Sequence, residues 1–167
     1  MKLADVEAIL RALNDADVRY LIVGGLAVVA HGYVRYTADV DLVLDLERDN
    51  ALRAMKALDA IAYRPLAPVD ATDFADEEKR RVWIREKNML VFQMLNPDRE
   101  GTRLDIFVNE PFAFTEEFAQ AKWEEVAGIR APVLRYDELI RLKRSSGRPQ
   151  DLIDIDQLEL MFGKKKQ

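Results

Sequence analysis

The feature that most restricts how this chain can fold is the run 39–44, "DVDLVL", where Asp39 and Asp41 alternate with Val40, Leu42 and Leu44. Alternation of this kind predicts a β-strand with its aliphatic residues on one buried face. Side chains two apart in a strand share a side, so Asp39 and Asp41 project together. Two carboxylates about 7 Å apart on one face repel each other unless water or a cation lies between them. A little upstream, "RYLIV" reads as a short aliphatic strand closed by Gly24-Gly25, and "LAVVAH" as a small buried helix stopped by Gly32.

Composition narrows what such a carboxylate pair can serve. The chain has no cysteine and a single histidine, His31, which removes disulfides, thiolate metal sites and His-rich zinc sites. A metal here would be a hard cation on carboxylate oxygens, meaning Mg²⁺, Mn²⁺ or Ca²⁺. The net charge of −5 argues against indiscriminate nucleic-acid binding, although a local basic patch could still serve a specific polyanion. At 167 residues the chain fits one domain on the usual prior of ~100–200 residues. The amphipathic, acid-containing N-terminus is not a signal peptide. The longest apolar stretch, Leu21 to Ala30, falls short of the ~20 residues that cross a bilayer. No membrane association and a cytoplasmic location are therefore expected.

Leu3, Val6, Ile9, Leu10 and Leu13 recur at helical spacing and predict a first helix ending near Asn14. "RDNALRAMKALDAI" predicts a helix with Asp49 or Asn50 near its cap. Residues 63–76, with scattered acids and two prolines, read as a loop. "EEKRRVWIREKN" fits a short helix or an edge strand equally. "MLVFQML" and "TRLDIFVN" predict strands joined by the turn cluster "NPDREG", and "WEEVAGIRAPVLR" a further pair of short strands. Two helices, over about 136–162, end the chain before a disordered tail at 163–167. The expectation is a single α+β domain over 1–167 with a mixed β-sheet, flanking helices and a C-terminal helix pair.

Asp105, between Leu104 and Ile106 in "RLDIFV", repeats the pattern of the first strand. If the two strands are neighbours, Asp39, Asp41 and Asp105 converge. Phosphoryl or nucleotidyl transfer needs such a spot, because two Mg²⁺ ions bridged by carboxylates can activate an attacking oxygen and neutralise leaving pyrophosphate. The bland alternative is three solvated strand-end aspartates. Gly24-Gly25 between strand and helix permits close approach of backbone N–H groups to an anion. Neither G-x-G-x-x-G nor G-x-x-x-x-G-K-[ST] occurs, so dinucleotide and P-loop readings fail.

"VGG", the following "DVD" and the later "LDI" resemble the signature of the DNA polymerase β-like nucleotidyltransferase superfamily. Within it, "GGLAVVAHGYVRYTADVDLVL" is similar to the minimal and AbiEii-type toxin nucleotidyltransferases, and "LIRLKRSSGRPQDLIDIDQL" to a K-x-x-x-x-R-x-K-D-x-x-D block of that group. The resemblance implies the nucleotidyltransferase fold and Mg²⁺-dependent transfer of NMP from an NTP to a hydroxyl. The cofactor it implies is a pair of Mg²⁺ ions, with Mn²⁺ the substitute. It makes Asp39, Asp41 and Asp105 the metal ligands, with Asp105 helping to activate the acceptor. It makes Gly24 and Gly25 the phosphate-contacting turn, where many members have Gly-Ser, and Gln150 stands where lysine is common. The acceptor is left open among RNA, a protein side chain and a small molecule. A toxin–antitoxin role, a second subunit or a homo-oligomer accompanies the macromolecular options. The alternative is a catalytically silent NTP-binding or partner-binding module of the same fold.

Arg35 and Thr37 flank the aspartate pair and can touch phosphate, while Arg35 can equally pair with Asp151 or Asp154. Lys143 shares the buried-leaning face of Leu139 and Ile140. Its ammonium either snorkels past the core edge or meets an anion, which the resemblance makes the triphosphate or an active-site aspartate. Asp151 and Asp154 form either an ion-pair set docking the last two helices or part of the catalytic apparatus. His31 reads as a helix-end residue and Asp45 as a strand-end one. The cluster Lys79, Arg80, Arg81, Arg85 and Lys87 is a candidate RNA surface or a solvated helix face.

Overall fold

The computed structural model describes residues 1–98 and 102–164. Helix α1 (Leu3–Asp15) turns Val6, Ile9, Leu10 and Leu13 inward, all fully buried, and leads into β1 (Tyr20–Ile22), whose three residues are buried. Helix α2 (Gly24–Ala30) follows at once, then β2 (Asp39–Leu44) and α3 (Arg48–Ala60). The cap of α3 is Glu47, whose carboxylate accepts the backbone N–H groups of Asp49 and Asn50, the two residues expected near the cap. Asn50 is buried instead and spends its amide on the backbone carbonyls of Arg19 (3.0 Å) and Asp45 (2.8 Å).

The stretch expected to be a loop, 63–76, is more ordered than its prolines suggest. It contains β3 (Arg64–Pro65) and a 3₁₀ turn (Ala71–Ala75) that plants Phe74 in the core. Proline is tolerated in β3 because it is an edge strand. The ambiguous run 77–87 is helix α4 (Glu77–Lys87), started by the Asp76 side chain and ended by Asn88 in the left-handed region (φ 48°).

Strands β4 (Val91–Leu95) and β5 (Arg103–Phe107) pair antiparallel. Part of the turn predicted between them, 99–101, lies outside the described residues. After α5 (Phe114–Ala119) come β6 (Lys122–Val126) and β7 (Ile129–Val133), an antiparallel hairpin as expected, then α6 (Tyr136–Ser146) and α7 (Pro149–Lys164). Residues 163 and 164, expected in the disordered tail, continue α7; 165–167 lie outside the described residues.

The strands form one seven-stranded mixed sheet in the order β3-β4-β5-β2-β1-β7-β6. This is the α+β architecture expected from the alternation of apolar runs. β2 is the central strand, antiparallel to β1 and parallel to β5. Val40, Leu42, Leu44, Leu104 and Ile106 are fully buried, which fixes β2 and β5 in register and leaves their aspartates on the opposite side. Helix α2 packs on β2 and against α6, and α6 packs on α7. Among the described residues no helix is long and apolar enough to cross a membrane.

Candidate active site

In the β2–β5 ladder, Asp39 stands opposite Arg103 and Asp41 opposite Asp105. Alternation then puts all three carboxylates on one side of the sheet. On the far side of β5, Gln93 of β4 is the register partner of Asp105, and its Nε2 donates to both carboxylate oxygens at 3.3 and 3.4 Å. Arg103 approaches Asp39 at 3.7 Å.

The glycine pair seats Asp41. Gly24 has φ +60°, and a Cβ there would overlap the Asp41 carboxylate. The Gly25 backbone N–H is hydrogen-bonded to that carboxylate, and the Val23 N–H donates to the Asp41 backbone carbonyl at 3.0 Å. A Cβ on Gly25 would stand 2.5 Å from Thr37 Oγ1 and 3.1 Å from an Arg35 guanidinium nitrogen. Both glycines thus exist to let side chains of β2 and its preceding loop lie against the α2 turn.

Burial, and then the charge of Asp105, push the Asp41 carboxyl up to about 6; the Gly25 N–H and the Arg148 charge act the other way. Burial also raises Asp105, against the Gln93 hydrogen bond, and the Asp39 charge adds to it. Among the described residues no group of three or more His, Cys, Asp or Glu side chains is already drawn together as a metal cage. The structure shows instead a same-sign cluster whose mutual repulsion a cation would relieve. Its donors are hard carboxylate oxygens, the set that suits Mg²⁺ or Mn²⁺, so the residues fit such a metal.

Two of the other nucleotide-site candidates, Arg35 and Lys143, are held by α7. Arg35 makes a two-pronged pair with Asp154 (Nε–Oδ1 2.6 Å, guanidinium N–Oδ2 2.7 Å). Lys143, with only 5% of its side chain exposed, pairs with Asp151 Oδ1 at 2.8 Å and Asp154 Oδ2 at 2.7 Å. Gln150 Nε2 adds a bond to Asp154 Oδ1 at 3.1 Å. Of the anions open to Lys143 and Arg35 from sequence, the structure supplies the helix-docking aspartates rather than leaving either cation free. Thr37 is the member of that loop that remains beside the glycine turn; its Oγ1 lies 3.4 Å from the Asp39 carbonyl.

His31 caps α2, with Nε2 2.8 Å from the Leu134 carbonyl and its ring edge-on to Tyr136 and Phe162, away from the aspartates. Asp45, just past the end of β2, forms an ion pair with Arg19 at 2.6 Å. Four of the five cations in the basic cluster on α4 have partners on the protein. Lys79 pairs with Asp73, Arg81 with Glu77 and Arg85 with Glu86, while Arg80 is buried and donates to the Phe74 carbonyl. That is a solvated face with one structural arginine rather than a free cationic surface. Gln93 escaped the sequence reading, although a lone amide inside the apolar run "MLVFQML" was its signal.

The comparisons with known proteins agree with this geometry. The family model for aminoglycoside-2''-adenylyltransferase matches residues 5–158. The solution structure of the antibiotic-resistance factor ANT(2'')-Ia superposes with a TM-score of 0.63 at 16% identity, over 98% of this chain and 85% of that one. The crystal structure of ANT(2'')-Ia in complex with adenylyl-2''-tobramycin gives 0.61 at 16% identity, over 98% and 91%. A candidate nucleotidyltransferase from Thermotoga maritima gives 0.57 at 13% identity, over 97% and 92%. No curated protein matches the chain. The structural likenesses carry the nucleotidyltransferase fold, and the family match replaces the AbiEii-type group to which the motifs pointed. The chain is a nucleotidyltransferase and belongs to the aminoglycoside-2''-adenylyltransferase family.

Proposed function

We propose that the protein transfers an adenylyl group from ATP to a hydroxyl of a small, cationic, aminoglycoside-like acceptor. The observation that carries the transfer reading is the register of Asp41 against Asp105, with Asp39 on the same side and Gly24 pressed on Asp41. The family match favours adenylyl as the group and an amino sugar as the acceptor. The net charge of −5 suits a cationic acceptor and disfavours RNA, as does the paired state of the α4 basic face. ATP use favours a cytoplasmic location.

Asp39, Asp41 and Asp105 would hold Mg²⁺, which supplies charge neutralisation at the triphosphate and polarisation of the reacting oxygens. Asp105, its proton affinity raised by burial and its orientation fixed by Gln93, takes the proton of the acceptor hydroxyl. The freed oxygen attacks the α-phosphorus, the bond from that phosphorus to the bridging oxygen breaks, and pyrophosphate leaves with the electron pair. Gly24 and Gly25 give the backbone room for phosphate as well as for Asp41.

The test is incubation with Mg²⁺, ATP and tobramycin, followed by mass spectrometry of the acceptor. One added adenylyl group per acceptor, lost in the Asp41→Asn variant, is the expected result. Transfer to RNA or protein with no aminoglycoside product would move the acceptor assignment. ATP binding without transfer to any of the three would favour the silent nucleotide-binding module.

A further inference from the structure

The cations first in line for the triphosphate are already spoken for, which raises the question of what meets its charge. Arg35 and Lys143 are both bound by Asp154, whose side chain is fully buried, and Lys143 by Asp151 as well. These bonds also fix where the α6–α7 corner lies. The Arg35 guanidinium is bonded to Asp154 of α7 and stands 3.1 Å from the Cβ position of Gly25. The first turns of α7 are therefore anchored beside the glycine turn that seats Asp41.

Arg148 occupies that corner. It follows Gly147, which takes the left-handed conformation (φ 62°) needed to break α6, and precedes Pro149 at the start of α7. Its backbone carbonyl accepts the N–H groups of Asp151 and Leu152 at 2.9 and 3.2 Å, so the root of the side chain is rigid. The side chain is 79% exposed. Only its Nε is engaged, donating to Ser146 Oγ at 2.8 Å and lying 3.5 Å from Asp151 Oδ2. Among the described residues, its terminal guanidinium nitrogens meet no hydrogen-bond or ion-pair partner.

We propose that Arg148 is the triphosphate-binding arm of the active site, contacting the β- and γ-phosphates of ATP through its outward guanidinium nitrogens. The proposal rests on the adenylyl-transfer reading above. A planar guanidinium on a fixed stem suits a phosphate fork, and loss of such a charge-assisted contact weakens binding about tenfold or more. Arg35 and Lys143 then serve as positioning residues that hold the corner in place.

Calorimetric titration of ATP, AMP and inorganic pyrophosphate into wild type, Arg148→Ala and Arg148→Lys, with Mg²⁺ present, tests this. The exposed Arg144, which pairs with Glu159 between α6 and α7, supplies the charge control as Arg144→Ala. ATP and pyrophosphate affinity should fall about tenfold or more in Arg148→Ala, AMP affinity should hold, and lysine should restore part of the loss. Arg144→Ala should behave as wild type, and all variants should melt together. Equal losses for ATP and AMP, or no loss, would overturn the proposal while leaving wild-type ATP binding intact. Wild type that binds no ATP would instead end the transfer reading and this inference with it.

Discussion

Asp41 of β2 and Asp105 of β5 face each other in register across two parallel strands, with no intervening residue and Gly24 closing the space above Asp41. Two carboxylates opposite each other on adjacent strands destabilise a sheet in the absence of a cation. The arrangement is therefore costly to the metal-free protein and useful only when the charge is neutralised. That asymmetry separates function from stability in the first prediction.

Asp41→Asn should abolish adenylyl transfer and stabilise the metal-free protein at neutral pH. The Asp41 carboxyl is raised to about 6 by burial and by Asp105, whereas an unfolded aspartate titrates near ~3.9. A raised carboxyl contributes its stability fully below the unfolded value and loses it as pH climbs through the folded value. Wild type should thus weaken between about pH 4 and pH 6 by ~1–2 kcal/mol, allowing for partial solvation of the group. Asparagine removes that slope. Thermal melts in EDTA across this range read it directly, and an Asp41→Asn variant less stable than wild type at pH 7.5 would make the aspartate structural.

The glycine turn gives a second, steric test. Gly25→Ser should impair both folding and transfer, because the new Cβ would meet Thr37 Oγ1 at 2.5 Å and crowd the Arg35 guanidinium. Contact that close forces a neighbour to move, at a cost of ~1–3 kcal/mol. Removing the obstruction in the Gly25→Ser/Thr37→Ala double variant should recover much of the melting temperature. A non-additive cycle is expected because the two side chains contend for one space. Simple additivity would show that Thr37 is not what excludes a side chain at position 25.

The sheet centre was legible in the sequence because its signals are local and mutually consistent. The alternation at 39–44, its repeat around Asp105 and the glycine pair each specify a strand or a turn without outside help. What the sequence could not reveal depends on partners far along the chain. Arg35 and Asp154 are 119 residues apart, so whether the arginine meets phosphate or an aspartate is decided by the docking of α7. Residues 63–76 read as a loop because Pro65 and the scattered acids hide a burial signal that rests on Tyr63, Phe74 and Ala75, too far apart for a clear period. The run 77–87 was ambiguous because most of it faces solvent; only Arg80 and Trp83 are buried, too few for a clear period.

Acid should act first on the C-terminal helix. Burial pushes Asp154 and Asp151 up, but hydrogen bonds outweigh it, from Arg35, Lys143 and Gln150 at Asp154 and from Lys143 and Ser146 at Asp151. Both carboxyls end below their usual range. A depressed carboxyl contributes stability above its unfolded value of ~3.9 and loses it as pH falls through the folded value. Amide exchange in α7 should therefore accelerate below about pH 4 while the central strands stay protected. Loss of protection across β2 and β5 at the same pH would mean that α7 does not detach separately.

Lys143→Ala decides between a phosphate contact and a docking role for the lysine. As a docking residue, Lys143 neutralises two aspartates in a site where its own side chain is 5% exposed and that of Asp154 is 0% exposed. Removing one partner of a buried ion pair leaves uncompensated charge and costs ~3–5 kcal/mol. The variant should melt well below wild type. Lys143→Ala/Asp154→Asn should recover part of that loss, because the orphaned charge is removed with the lysine. At a temperature where Lys143→Ala is still folded, its preference for ATP over AMP should match wild type, since Arg148 rather than Lys143 meets the β- and γ-phosphates. A selective loss of ATP affinity with an unchanged melting temperature would assign the triphosphate to Lys143, and would require its ammonium to leave Asp151 and Asp154 whenever nucleotide binds.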